Sequence, residues 1–276
     1  MSADEGKLPA SLVLVGAGRM GGAMLRGWLS LGLDPRHVTV IDPHAAPEIS
    51  ALCASSGASL NPRTPPAAPE ALVLAVKPQM LDAAAPQIAP LAQAHTLVLS
   101  IMAGKTIADI AARLPDARAI VRAMPNTPAA VGRGATGLCA SADVSPAQRA
   151  MAGALLSSVG SVEWLDDERL IDAVTALSGS GPAYVFHLVE CMAAAGEKVG
   201  LPRDVALRLA RATVEGSGEL LRQDADVSPA QLRINVTSPG GTTAAALDVL
   251  MAADGLGPLM ERAIAAARRR AEELSG

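Results

Sequence analysis

Apolar residues along the first 166 positions alternate between short continuous runs and stretches with helical spacing, which is the pattern of repeated βαβ units. The runs predict strands at Leu12–Val15, Val38–Ile41, Leu72–Val76, Leu97–Ile101 and Ala119–Ala123. Two further runs, Thr136–Ala140 and Val162–Leu165, are expected to extend the sheet at one edge. Helices such as Gly21–Ser30 and Thr106–Leu114 are predicted between strands, and the four prolines in Asn61–Pro69 predict a loop.

From about Asp167 the strand pattern ends and only helices are predicted. Asp167–Leu177 is predicted to be one helical run, broken at Ser178–Pro182 and resumed at Ala183–Val199, and Arg203–Gln223 predicts another helix with small residues on one face. Ser145 and Ser228, each followed by Pro-Ala-Gln, fit capping boxes. We therefore predict an α/β protein with an N-terminal Rossmann-type dinucleotide-binding domain (1–166) and a C-terminal all-helical domain (167–276).

Composition narrows the class of protein. Of 276 residues, 50% are hydrophobic but only 1% aromatic, which suits alanine-faced helices packed closely on a parallel sheet. A net charge of −4 argues against nucleic acid as a partner. No apolar run has the length of about 18 residues needed to cross a membrane, and the N-terminus is polar. The scattered cysteines Cys53, Cys139 and Cys191 show no metal or disulfide spacing. We expect a cytoplasmic protein without a metal.

The strongest local motif is Gly16-Ala17-Gly18-Arg19-Met20-Gly21, which follows a predicted strand and opens a helix. In that position the first glycine permits a tight turn, the second lets a pyrophosphate approach the backbone, and the third lets helix and strand pack closely. The N-terminus of the helix then stabilises the phosphates. A glycine-rich turn without a ligand is the alternative, and the context favours a dinucleotide coenzyme.

Asp42 ends the second predicted strand, about 20 residues beyond the glycines, where the adenosine ribose is expected. A carboxylate there accepts hydrogen bonds from the ribose hydroxyls and repels a 2′-phosphate. Our hypothesis is that NADH is used at least as well as NADPH; the alternative is a turn-forming Asp before Pro43. Lys77, just past a predicted strand, is equally consistent with a site residue or an exposed strand-end charge.

Four further blocks, Ala75–Gln79, Arg122–Pro128, Leu177–Tyr184 and Val236–Thr243, occur in this order after the glycine loop. Together they resemble the pyrroline-5-carboxylate reductases over most of the chain. The resemblance implies hydride transfer from NAD(P)H to the C=N bond of 1-pyrroline-5-carboxylate, giving L-proline in the last step of proline biosynthesis. It also implies that the helical domain binds substrate and pairs with its twin, in a homodimer or a larger homo-oligomer of dimers.

The resemblance assigns residues to both ligands. It implies coenzyme contacts, with the last three residues beside the nicotinamide, for Val15, Gly16, Ala17, Gly18, Arg19, Met20, Ala75, Val76, Lys77, Pro78, Ile101, Met102 and Ala103. It implies substrate contacts for Glu168, Asn235, Ser238, Gly241, Thr242 and Thr243. Two positions depart from the family pattern: Asp42-Pro43 replaces a small polar residue, and Asn61 lies one residue out of step with a family asparagine, opposite Pro62. Both concern the adenosine end and leave coenzyme preference open.

The last block also has its own physical interpretation. A proline and two glycines precede a helix predicted to begin at about Thr242, so free backbone N–H groups there can bind a carboxylate. A well-capped helix without a ligand is the alternative. We expect the Thr243 hydroxyl to orient the ring nitrogen and Lys77 to assist the hydride step electrostatically or through a water-mediated proton relay.

A protein acid is not required, because a ring imine can arrive protonated. The four histidines (His37, His44, His95 and His187) lie outside the motifs and are interpreted as surface or packing residues.

Two other functions stay open. One is a related oxidoreductase acting on a hydroxy acid or another imine, which usually places a Lys, His or Asp acid–base in the helical domain. The other is a non-catalytic dinucleotide-binding regulator of the same fold.

Overall fold

The computed structural model describes residues 7–275, and these form two compact units. The first unit contains the chain up to Gly179 together with the chain from Arg268 onwards, and the second is Ser180–Ala267. No helix in the described residues is long and apolar enough to cross a membrane.

The first unit is built on one eight-stranded sheet. Its strands are β1 (Leu12–Val15), β2 (Val38–Ile41), β3 (Ser59–Leu60), β4 (Ala71–Leu74), β5 (Leu97–Ser100), β6 (Ala119–Met124), β7 (Gly134–Ala140) and β8 (Gly160–Trp164). They lie in the order β3-β2-β1-β4-β5-β6-β7-β8, and all neighbours are parallel except β6 and β7. The order reverses between β1 and β4, which creates the crevice where open α/β sheets bind ligands.

The helices of the first unit connect and cover these strands. They are α1 (Arg19–Ser30), α2 (Pro47–Ser56), α3 (Leu81–Ile88), α4 (Ile107–Arg113), α5 (Pro146–Ser157) and α6 (Leu170–Val174). Side chains alternate along a strand, so Leu12 and Leu14 enter one core while Val13 and Val15 enter the other. Trp28 of α1 is fully buried, and its indole N–H donates to the carbonyl of Leu155 at 2.7 Å.

The second unit consists of helices α7 (Gly181–Lys198), α8 (Arg203–Gln223), α9 (Pro229–Asn235), α10 (Thr242–Leu250) and most of α11 (Leu256–Ser275). Helices α7 and α8 pack closely, because a Cβ on Gly196 would lie 3.1 Å from the Cβ of Ala206. The buried residues of this unit are all alanines: Ala193, Ala206 and Ala210. Large apolar side chains remain on its surface.

The predicted fold class is confirmed, with two local corrections. Asp167–Leu177 is not one α-helix, because α6 ends at Val174 and Thr175–Gly179 forms a π-helical turn. The hydroxyls of Thr175 and Ser178 donate to carbonyls four residues earlier, and such bonds bend or widen a helix. Ser145 makes its complete capping box. Ser228 forms only half of its box: its hydroxyl accepts the Gln231 backbone N–H, and the Gln231 side chain donates to Asn235 Oδ1.

Candidate active site

The glycine loop follows β1 and adopts the tight geometry that its sequence predicts. Gly16 has φ +86°, and its N–H donates to the carbonyl of Ile41 at 2.9 Å. A Cβ at Gly16 would lie 2.8 Å from the Ala75 carbonyl oxygen, and one at Gly21 would collide with the Gly16 carbonyl. At Gly18, by contrast, nothing lies within 4 Å of that position. The first and third glycines are therefore required by packing, and the second leaves room for a ligand.

A cavity of about 470 Å³ opens at the carboxyl ends of β1, β2 and β4. Of the predicted coenzyme residues, it is lined by Val15, Gly16, Gly18, Asp42, Ala75, Val76 and Lys77. His44 also lines it, a residue that the sequence pattern left outside the site. The glycine backbone and the start of α1 meet here, so these residues fit the pyrophosphate of a dinucleotide.

Asp42 lies directly after β2 and is held by backbone donors. Its Oδ2 accepts the N–H of Ala17 at 2.8 Å, and its Oδ1 accepts the N–H of His44 at 2.9 Å. The second contact is the turn-forming bond of the alternative interpretation, and the first joins the carboxylate to the glycine loop. Each oxygen keeps a further lone pair with which a ribose hydroxyl can bond.

Lys77 is exposed and begins the 3₁₀ turn Pro78–Met80. Pro78 lines a second cavity of about 320 Å³ together with Ala103, Lys105, Asp172 and Ser275. Pro78, from the predicted coenzyme segment after β4, and Ala103, from the predicted nicotinamide segment after β5, therefore meet at this cavity. Within the second segment Met102 is buried in the core, and it does not line this cavity.

Glu168 belongs to a buried ionic cluster of the first unit. Arg122, with a side chain 4% exposed, donates to Glu168 Oε1 at 3.0 Å and lies 3.7 Å from Asp172 Oδ1. The same Glu168 oxygen accepts the N–H of Ile107, the first residue of α4, at 2.8 Å. The two carboxylates compensate the buried guanidinium, and Glu168 also fixes the start of α4 against β6. Glu168 Oε1 is therefore already bonded to Arg122 and Ile107, and a substrate that contacts this oxygen would share it with them.

The capping box of α4 shows a perturbed acid beside this cluster. The Thr106 backbone N–H donates to Asp109 Oδ2 at 2.9 Å, and this bond lowers the pKa of Asp109 below its ordinary value, although burial opposes the shift. Burial also raises the pKa of the Cys139 thiol on β7.

The remaining implied substrate residues come together in the second unit. Asn235 ends α9, and a turn in which the Gly241 N–H donates to the Ser238 carbonyl leads into α10. No side chain caps the N-terminus of α10, which begins at Thr242 after Gly241. Thr243 is half-buried, whereas Ser238 and Thr242 are exposed. The helix start therefore presents backbone N–H groups and hydroxyls at one place, as the sequence predicts.

Two polar residues that organise the first unit were not among the ligand contacts assigned from the sequence. Asn126 joins Ala135 and Ser178 through its side-chain amide. Asn61 bonds to the backbone of Asp42. Asn126 lies in Met-Pro-Asn-Thr-Pro, within one of the four blocks, and Asn61 was noted only as out of step with a family asparagine. Their hydrogen-bond partners lie 9 to 52 positions away, so the sequence does not show which groups the two amides hold.

Comparison with known proteins gives two family matches. The family model described as pyrroline-5-carboxylate reductase dimerisation matches residues 168–274. The family model described as NADP oxidoreductase coenzyme F420-dependent matches residues 11–104. The first match covers the helical region and the second covers the glycine loop with the first strands.

Relatives and solved structures cover nearly the whole chain. A pyrroline-5-carboxylate reductase of Pseudomonas aeruginosa is 42% identical over 270 residues, 96% of each chain. The structure of a pyrroline-5-carboxylate reductase from Coxiella burnetii superposes with a TM-score of 0.89 at 34% identity, covering 96% of this chain and 98% of that one. The Plasmodium falciparum pyrroline carboxylate reductase with NADP bound superposes with a TM-score of 0.78 at 27% identity, covering 96% and 98%.

Proposed function

The chain belongs to the pyrroline-5-carboxylate reductase family, and from that premise we propose which of its residues carry the reaction and which coenzyme it prefers. The enzyme is an NAD(P)H-dependent oxidoreductase that reduces the C=N bond of 1-pyrroline-5-carboxylate to L-proline, in proline biosynthesis. The alternatives of another oxidoreductase or a non-catalytic regulator are not favoured.

The coenzyme residues proposed are those around the glycine loop and the ends of β4 and β5. When bound, reduced nicotinamide supplies the hydride. Gly18 admits the pyrophosphate, and the first turn of α1, which includes Arg19 and Met20, faces its phosphates. Ala75–Pro78 would contact the coenzyme, and Ile101–Ala103 would lie beside the nicotinamide. The cavity that Pro78 and Ala103 share supports this placement.

The substrate residues proposed are Asn235, Ser238, Gly241, Thr242, Thr243 and Glu168. The uncapped start of α10 supplies backbone N–H donors for the carboxylate of the imino acid. The Thr243 hydroxyl bonds to the ring nitrogen and holds the C=N carbon toward the hydride, and such orientation supplies about 7–11 kcal/mol of the barrier in favourable cases. Glu168, held by its ion pair with Arg122, is proposed to contact the substrate as well.

The protonated imine is the form that accepts hydride. No strong protein acid is needed, because the ring imine can arrive already protonated. Lys77 contributes a positive charge at the sheet's carboxyl edge, where it assists the hydride step electrostatically or relays a proton through water. Its exposed position beside the glycine-loop cavity supports this role. Thr243 is thus proposed to orient the substrate, and Lys77 to assist the hydride step.

NADH is proposed as the preferred coenzyme, and the observation that carries this is the Asp42 carboxylate fixed to the Ala17 N–H. A carboxylate at that point accepts from both ribose hydroxyls and repels the 2′-phosphate of NADPH. With P. falciparum pyrroline carboxylate reductase, NADP is the nucleotide bound in the solved structure. The preference proposed here therefore belongs to Asp42 of this chain and not to the family.

The enzyme forms a homo-oligomer, as its dimerisation region implies. We propose a dimer or a ring built from dimers, with the substrate-binding and dimerisation domain beginning at residue 167. The match of the dimerisation family from residue 168 and the exposed apolar side chains of the second unit support this arrangement.

The test is a pair of rate measurements on the purified protein with racemic 1-pyrroline-5-carboxylate and either NADH or NADPH, with L-proline identified as product. We expect saturable oxidation of both and a higher kcat/KM with NADH. In Asp42→Ala the NADH advantage should shrink about ten-fold, which corresponds to the loss of one charge-assisted hydrogen bond. A wild-type enzyme that uses NADPH far better would contradict the coenzyme proposal alone. No proline from either coenzyme would contradict the reaction itself.

A further inference from the structure

Asn61 has an unusual backbone conformation next to the proposed ribose site. Among the non-glycine residues that the structure describes, it alone has a positive φ, at 47°. Asparagine tolerates this left-handed conformation better than most residues. The conformation follows β3, whose last residue Leu60 pairs with Val40, and the Asn61 N–H still donates to the Val40 carbonyl at 2.8 Å. The chain therefore turns away from β2 just as β2 reaches Asp42.

The Asn61 side chain takes over where backbone pairing stops. Its Oδ1 accepts the Asp42 N–H at 2.8 Å, and its Nδ2 donates to the Asp42 carbonyl at 2.7 Å. Both main-chain polar groups of Asp42 are thus bonded to one amide, in the manner of a neighbouring strand. The Asp42 backbone cannot rotate without breaking these bonds, so its carboxylate stays directed at the Ala17 and His44 N–H groups.

Asn61 lies outside the cavity at the glycine loop. Asp42 lines that cavity, whereas Asn61 lines an adjoining one of about 620 Å³ with Pro62, Pro65 and Pro66. Ile41 and Pro43 line both. The Asn61 amide therefore bonds to the Asp42 main chain without lining the cavity proposed for the ribose. In this position it can influence the coenzyme through Asp42.

We propose that Asn61 is a positioning residue for coenzyme selectivity: it holds Asp42 so that the carboxylate meets the ribose hydroxyls, and thereby favours NADH over NADPH. This rests on the proposed role of Asp42. Because NADPH cannot use the carboxylate in the same way, loss of the Asn61 amide weakens NADH binding and leaves NADPH binding nearly unchanged. The nicotinamide end is not involved, so turnover at saturation is preserved.

The experiment compares Asn61→Gly with wild type in kcat and KM for both coenzymes. Glycine keeps the positive φ without strain and removes only the amide. We expect KM for NADH to rise about five- to ten-fold with kcat within about two-fold, as the loss of one or two exposed hydrogen bonds implies. Asn61→Asp, which keeps the Oδ1 acceptor but sets a second carboxylate oxygen against the Asp42 carbonyl, should raise KM for NADH at least as much and serves if the glycine variant folds poorly. Thr64→Gly, in the same loop and exposed, is the matched control and should leave kcat and KM unchanged for both coenzymes.

A double-mutant cycle with Asp42→Ala decides whether Asn61 acts through Asp42. If it does, Asp42→Ala/Asn61→Gly has the same NADH to NADPH ratio as Asp42→Ala alone. Additive losses would mean that Asn61 binds the coenzyme independently, which overturns the inference. If Asp42→Ala shifts the ratio and Asn61→Gly does not, the inference fails while the role of Asp42 stands. If neither shifts it, both fail.

Discussion

The two units bury their apolar side chains in opposite ways. In the first unit the core contains large residues with no exposure at all, among them Trp28, Leu14, Leu74 and Leu99. In the second unit only alanines are buried, whereas Phe186, Val249 and Val199 are 65%, 72% and 83% exposed. A sheet with helices on both faces closes its own core, but a few helices with small contact residues do not.

The difference in burial separates the proposed coenzyme contacts from the proposed substrate contacts at the start of α10. The glycine loop and Asp42 belong to the unit that completes its own core, so the coenzyme contacts proposed for them are organised within one chain. The start of α10 belongs to the unit whose surface is apolar, and such patches on a soluble protein mark interfaces. The match to the dimerisation family over residues 168–274 fits this, and substrate binding at the proposed α10 site is therefore expected to depend on assembly.

Removing a large core side chain from the first unit should have the largest effect on stability. Trp28→Ala deletes a fully buried ring and its hydrogen bond to Leu155. We expect the free energy of unfolding to fall by about 3–5 kcal/mol, measured by chemical denaturation. Leu31→Ala, a change at a side chain 56% exposed in the same unit, should cost less than about 0.5 kcal/mol. Equal losses in the two variants would mean that the first unit has no core of its own.

A charge on the apolar surface of the second unit should act on assembly instead. Phe186→Asp is expected to separate the homo-oligomer into smaller species, because an unpaired carboxylate buried in an interface raises the dissociation constant by about 100-fold or more. Light scattering during size-exclusion chromatography measures this. The matched change Leu31→Asp, on the first unit, should leave the mass unchanged. An unaltered mass for Phe186→Asp would show that its exposed apolar face is not the interface.

Regular elements and contiguous motifs were accessible from the sequence. The bounds of β1, β2 and α8 are those predicted, because buried parallel strands are continuous apolar runs and α8 has a clear helical period. The glycine loop was equally accessible, since a six-residue pattern fixes its geometry. Helix α2 was missed: it begins at Pro47 after Ala46, which offers no side-chain cap to mark it.

Contacts between distant residues were not accessible. The bonds of Asp42 to Ala17 and Asn61 span 25 and 19 positions, and they exist only because β1, β2 and β3 are neighbours in the sheet. The Arg122–Glu168 pair spans 46 positions in the same way. The sequence shows polar residues at strand ends, but which of them meet depends on strand order and on the length of each strand.

The claim that the start of α10 serves the substrate and not the coenzyme is tested most directly by Thr243→Ala. Turnover with 1-pyrroline-5-carboxylate is measured beside the dissociation constant for NADH. We expect turnover to fall about 10- to 100-fold while NADH binding stays within about two-fold, because one orienting hydrogen bond is lost from the substrate alone. Thr243→Ser, which keeps the hydroxyl, should retain most of the activity. Turnover at the wild-type level, or an equal loss of NADH affinity, would contradict the account.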